Sequence, residues 1–273
     1  MLDILTRACC FVGIILLGFI LRQIGFFKES DFHVLSKITL KITLPATFVV
    51  SLSQMTIEPS MLIIAAIIFG VGVLYICVAF LMNLRADKDK RAFEMLNLPC
   101  YNIGLFALPL VQGYLGPVGV ATTSLCDLGN AFICLGGAYG VASTVKDGSK
   151  FSFRRIGKAL LTSVPFMTYI ILIPLNLAGI KLPAGILSFA DIIKGANTFL
   201  AMLMIGVGIK IDRNENYTWQ ITRLLLVRYS IAAVLAAVFY YLLPFALEVR
   251  QTMVLLAFSP VSSATPAFTA EMK

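Results

Sequence analysis

The chain has 273 residues, of which 59% are hydrophobic and 13% charged, with a mean hydropathy of +0.91; a soluble domain carries about 25% charged residues. That composition excludes a soluble globular domain and points to an all-α polytopic membrane protein, with the lipid bilayer as its first partner. The formal net charge of +8 lies in short gaps between apolar runs rather than along one face, so it reads as membrane topology and no nucleic acid is expected.

A membrane span needs about 20 apolar residues, which gives room for about nine in this chain. The first is expected over residues 5–24; it lacks a small-residue cleavage site and is read as a retained helix. The second, 35–52, holds Lys41 and Pro45, and the third, 60–82, ends at a charged gap from Arg85 to Arg91. The fourth, 92–115, is interrupted, and Gly116 and Pro117 turn the chain into the fifth, 118–144. A basic linker, 145–158, leads to the sixth span, 159–177, followed by the seventh, 189–209, the eighth, 221–243, and the ninth, 252–270. Residues 1–144 then form a first unit of five helices and residues 159–273 a second with four.

Lysine and arginine fill the odd-numbered gaps, whereas the even ones hold only Lys181 and Arg250. The positive-inside rule places the odd gaps in the cytoplasm and the amino terminus outside, in a cell (inner) membrane. The Asn216-Tyr217-Thr218 sequon is then cytoplasmic and expected to carry no glycan. The six cysteines fall in apolar runs without metal-ligand spacing and read as small packing residues.

The fourth span carries Asn97, Pro99, Asn102, Gly104 and Pro109 within an otherwise apolar run. A proline inside a helix removes a backbone hydrogen bond and clashes with the preceding turn, at about 3 kcal/mol. In hydrocarbon such a break persists only where protein or a wet cavity surrounds it. The ninth span repeats the pattern: Asn102 precedes Pro109 by seven residues and Ser259 precedes Pro266 by seven, with Ala107 and Ala264 two residues before each proline. The two segments lie five spans apart, an odd number, so equivalent units in the two halves are inverted in the membrane. Interrupted segments at matching places in inverted halves are the best sequence pointer to a secondary transporter's site.

If Ala107, Pro109, Ala264 and Pro266 form a crossover, each second half-helix presents a positive N-terminus and unpaired N–H donors there. An anion such as a carboxylate is then favoured, with Asn102, Ser259, Ser262, Ser263 and Thr265 as further hydrogen-bonding groups. Pro45, Pro165 and Pro174 read as packing kinks. Asp127, near the middle of the fifth span, is a functional candidate by its depth, and Asn130 one turn on faces the same side. Both are ion-coupling candidates; a polar clamp without a coupling role is the alternative. Lys41 and Arg228 lie within about two turns of span ends and are expected to snorkel. Lys194 can pair with Asp191, and His33 is expected to be solvated.

With Leu44-Pro45-Ala46, the run from Asn102 to Leu110, Gly116-Pro117, Asp127-Leu128-Gly129-Asn130 and the segment from Ser259 to Glu271, the sequence resembles the auxin efflux carrier family, which includes plant PIN-type carriers and bacterial malate and malonate permeases. The resemblance implies two inverted five-helix repeats with crossed broken helices, as in sodium/proton and bile-acid carriers. It also implies a scaffold part, a crossover-bearing transport part, and contact between Asn102 and the substrate carboxylate. A tenth helix, the counterpart of the fifth, is left unaccounted for within the chain.

The function expected is secondary transport of a small organic anion, a mono- or dicarboxylate, by alternating access, with a homodimer as a possible assembly. No cofactor or metal is expected beyond a coupling proton or sodium ion. A cation-coupled carrier with Asp127 as ion site, and a non-transporting receptor or scaffold, are the alternatives. An enzyme is not expected, because no His cluster, paired intramembrane aspartates or Ser/His arrangement is present in the sequence.

Overall fold

The apolar run that opens the chain forms α1 (Leu2–Gln23) in a computed structural model that describes residues 2–54, 56–148, 150–209, 218–262, 265 and 269. Next, α2 (Asp31–Ile38) passes through a π-helical turn at Thr39–Thr43 into α3 (Leu44–Ser53). Pro45 falls in the first turn of α3, where its missing N–H costs little. A 3-10 turn at Pro59–Leu62 enters α4 (Ile63–Met82), and α5 (Lys88–Asn97) follows. The Asp87 carboxylate caps α5 by accepting from the Lys90 N–H at 2.6 Å.

Residues 98–102 are unwound, after which a π-helical turn at Ile103–Ala107 leads into α6 (Leu108–Phe132). Within α6 the helix is broken at Gly116, whose φ of 58° and ψ of −150° suit a residue without a Cβ, and Pro117 opens the helix that follows. Another π-helical turn, Ile133–Gly137, precedes α7 (Ala138–Asp147). The remaining helices are α8 (Phe153–Thr162), α9 (Val164–Leu177), α10 (Ala184–Lys194), α11 (Asn197–Gly208), α12 (Thr218–Leu242) and α13 (Leu247–Ala257).

The protein is an all-α polytopic membrane protein, and among the described residues the helices that qualify as spans are fewer than the expected nine. Among the described residues five helices are long and apolar enough to cross a membrane: Asp31–Ser53, Pro59–Met82, Ile103–Asp147, Ala184–Gly208 and Trp219–Leu242. Phe153–Thr162 and Val164–Leu177 make a sixth if they are one span, bent by 80°. The fourth expected span is unwound at residues 98–102 and its remainder runs into Ile103–Asp147, while in the ninth α13 ends at Ala257. The sixth begins at Val164 rather than residue 159, because Ser163 breaks the chain after α8. The charged residues Arg154, Arg155 and Lys158 with exposed Phe153 and Leu161 make α8 amphipathic, suited to the membrane interface.

The chain forms two compact units, each assembled from segments on both sides of the basic linker. One comprises Met1–Ile57, Gly104–Ala121 and Thr168–Asn214. In it α1 lies along α11 at close approach: a Cβ on Gly18 would fall 2.3 Å from the Leu203 carbonyl oxygen, and one on Gly206 2.0 Å from that of Ile15. Small residues let membrane helices pack by backbone contact, where no hydrophobic force drives them together. Arg22 closes the end of α11, donating to the carbonyls of Val207 at 3.0 Å and Ile209 at 2.7 Å. Buried Thr43 donates to Asn197 Oδ1 at 2.8 Å. Asn176 ties down the chain after α3, donating to the Leu52 carbonyl at 2.6 Å and accepting from the Ile57 N–H at 2.7 Å.

The other unit comprises Glu58–Ile103, Thr122–Met167 and Glu215–Lys273. Here Asn83 ends α4 and donates to buried Glu94 of α5 at 2.7 Å, while Arg223 of α12 reaches Asn83 Oδ1 at 3.1 Å and Glu94 at 3.5 Å. This polar knot pins α12 to α5 beside the unwound stretch. Gly129 of α6 packs against α4, its notional Cβ 2.1 Å from the Ala65 carbonyl oxygen. In the first unit the Lys194–Asp191 pair forms at 3.2 Å as its spacing predicts, and His33 is exposed.

Candidate functional site

Proline makes the residue before it prefer an extended backbone and has no N–H of its own. Pro99 and Pro260 therefore open two gaps in helical hydrogen bonding, just after α5 and α13 respectively. In the second unit these gaps meet. The Asn102 N–H donates to the Pro260 carbonyl at 2.9 Å and the Ser262 N–H to the Cys100 carbonyl at 3.1 Å, framing an isolated antiparallel bridge between Tyr101 and Val261. The two unwound segments thus cross with opposite chain directions and satisfy part of each other's backbone.

What remains must be satisfied by side chains, because buried backbone groups without partners are costly. Tyr101 points its own N–H and carbonyl away from Val261, and Asn130 takes both. The Asn130 Oδ1 accepts from the Tyr101 N–H at 3.2 Å, and its Nδ2 donates to the Tyr101 carbonyl at 3.1 Å. A single amide side chain acts here as a one-residue strand. Asp127 supports it by accepting from Asn130 Nδ2 at 3.3 Å, and Cys134 donates to Asn130 Oδ1 at 3.2 Å.

The carbonyls at the C-terminal ends of α5 and α13 carry partial negative charge and lack intrahelical partners. Arg228 of α12 collects them. Its Nη1 donates to the Leu98 carbonyl, and its Nη2 lies 3.2 Å from that of Cys100, 2.9 Å from that of Ser259 and 3.3 Å from that of Pro260. The guanidinium lies over the Tyr101 ring at 4.8 Å and the Tyr75 ring at 5.9 Å, and the Tyr75 hydroxyl donates to the Arg228 carbonyl at 3.2 Å. Arg228 is 0% exposed. The expectation that it snorkels is corrected: counting from the end of the span ignores the ring of carbonyls on its other side, which solvates the charge in place of water. Lys41, by contrast, is exposed.

Asn102, Ser259, Ser262, Asp127 and Asn130 all belong to this unit. Asn102 is half-buried and immediately precedes the helical backbone that starts at Ile103. Ser259 is buried, and two buried polar atoms here, Ser259 Oγ and Arg228 Nε, have no partner among the described residues. The Thr265 hydroxyl donates to the Ser262 carbonyl at 2.8 Å. Ala107 ends the π-helical turn and Pro109 is the second residue of α6; both belong to the first unit, and the backbone pairing lies upstream of them. Ser263, Ala264 and Pro266 lie outside the described residues.

Sequence reasoning missed Arg228, Glu94 and the Tyr101 backbone. A usable signal existed for the first two: an ionisable residue within an apolar run is a functional candidate by default.

No family model matches the chain. It is 25% identical over 217 residues to a Methanocaldococcus jannaschii protein named "uncharacterized transporter", the match covering 72% of this chain and 66% of that protein. It is also 24% identical over 237 residues to a Methanothermobacter thermautotrophicus protein of the same description, covering 85% of this chain and 76% of that protein.

Proposed function

We propose that the chain is a secondary membrane carrier of a small organic anion, a mono- or dicarboxylate, working by alternating access around the crossing of its two unwound segments. The observation that carries this reading is the antiparallel pairing of Tyr101 with Val261, which brings two unwound segments and a buried arginine to one place. The carbonyl side of the crossing is occupied by Arg228 and the Asn102 N–H by the Pro260 carbonyl, which leaves the N–H groups from Ile103 onward and the Asn102 side chain to face a ligand. The guanidinium of Arg228, fully buried at the crossing, brings a fixed positive charge there that favours an anion. The two archaeal relatives named as transporters support transport over a receptor role. Asp127, held against Asn130, is the candidate for coupling a proton.

The test is thermal melting of purified protein against a panel of mono- and dicarboxylates, since a ligand that prefers the folded state raises the melting temperature. At least one carboxylate is expected to give a saturable upward shift. Asn102→Ala is expected to weaken that affinity about tenfold, the effect of losing about 1.4 kcal/mol of hydrogen bonding, without lowering the ligand-free melting point. Unchanged affinity in the folded variant overturns the assignment.

A further inference from the structure

In secondary transporters with broken helices, unwound carbonyls and half-helix C-terminal ends are the groups that coordinate a coupling cation such as sodium. This protein has such a cluster, and it is already filled. The carbonyls of Leu98, Cys100, Ser259 and Pro260, two from each unwound segment, all converge on the guanidinium of Arg228. Tyr101 and Tyr75 add their ring faces to the same cation, an attraction that strengthens when the cation is desolvated. Being covalently part of α12, this cation cannot dissociate from the cluster. A soluble cation entering the cluster would meet a fixed positive charge at contact distance and find the oxygens taken.

We infer that Arg228 is a tethered counter-cation that replaces a soluble coupling ion at the crossing, so that the two unwound segments are held together without sodium. The inference builds on the carrier reading of this crossing, but it concerns what assembles the site and is tested without any substrate.

The experiment is the ligand-free melting of the purified full chain in sodium, potassium and choline chloride at equal ionic strength, for the unaltered protein and for Arg228→Ala and Arg228→Lys. The unaltered protein is expected to melt at the same temperature in all three salts. Arg228→Ala leaves a cluster of buried carbonyls without a cation. It is expected to melt on the order of 10 °C lower, since breaking a buried charge arrangement by removing one partner is strongly destabilising. Millimolar ethylguanidinium, which restores the missing group in free form, is expected to recover much of that loss while leaving the unaltered protein unmoved. Arg228→Lys keeps the charge with fewer donors and is expected to fall between the two; it carries the salt comparison if the alanine variant does not fold.

A sodium-specific rise in the melting of the unaltered protein overturns the inference, because it places a working sodium site in the presence of Arg228. So does an Arg228→Ala protein that melts normally, or one that ignores both ethylguanidinium and inorganic cations. None of these outcomes depends on carboxylate binding, so the carrier reading and the tethered cation fail separately.

Discussion

Replacing Asn130 by leucine is expected to lower the melting temperature by about 10 °C and to abolish any carboxylate-induced shift. Leucine keeps the branching and the number of side-chain heavy atoms but removes every polar atom, so lost hydrogen bonding dominates and its extra bulk adds overpacking. Asn130 supplies the acceptor for the Tyr101 N–H and the donor for the Tyr101 carbonyl, and at 4% exposure no water substitutes for it. Leaving a buried donor or acceptor unmade costs about 1–3 kcal/mol per group, so two groups give about 2–6 kcal/mol. In a protein of this size each kcal/mol moves the melting point by about 2–4 °C. Asn130→Asp keeps the acceptor for Tyr101 but loses the donor, and is expected to fall between. Both are read by thermal melting in one detergent, with the carboxylate panel repeated on whatever folds.

The second large effect lies in the other unit. Gly206→Val must push α1 away from α11, because its Cβ would sit 2.0 Å from the Ile15 carbonyl oxygen. Backbone cannot yield as a flexible side chain does, and overpacking a well-packed contact costs about 1–3 kcal/mol, occasionally more. The upper end is expected here, since membrane helices gain nothing from the hydrophobic effect when separated into lipid and lose their packing contacts outright. Gly13→Ala on the same helix α1 is the control. A Cβ there meets nothing within 4 Å, so melting is expected to change by no more than the equivalent of about 0.5 kcal/mol. Equal melting of the two variants would remove close approach as the reason for glycine at residue 206.

The helical membrane class was plain in composition, and so was the existence of two breaks, because asparagine and proline together in an apolar run have no use in a lipid-facing helix. Their exact position was not. The seven-residue spacing drew attention to Pro109, the second residue of α6, and to Pro266, which lies outside the described residues, while the described backbone pairing lies beside Pro99 and Pro260. A proline only forbids a hydrogen bond. Where the chain unwinds depends on which groups replace that bond, and those groups, Asn130 and Arg228, are remote in sequence. Arg228 was misjudged for a related reason: hydropathy measures how far a residue is from the end of a span but not what its face of the helix meets. The division into two units was equally hidden, since each draws on segments from before and after the basic linker. Asp127 was located by depth alone, and the contact that gives it meaning is with Asn130.

The crossing itself is tested most directly by disulfide trapping. Tyr101 and Val261 form the kind of antiparallel pair flanked by, rather than joined by, hydrogen bonds, with a typical Cα separation of about 4.5 Å, inside the range of about 4.4–6.8 Å that a disulfide spans. The double variant Tyr101→Cys/Val261→Cys is expected to form an intramolecular bridge on mild oxidation in membranes, identified by peptide mapping, while neither single variant links those two peptides. A folded double variant whose residues 101 and 261 stay reduced under the same treatment would contradict the crossing.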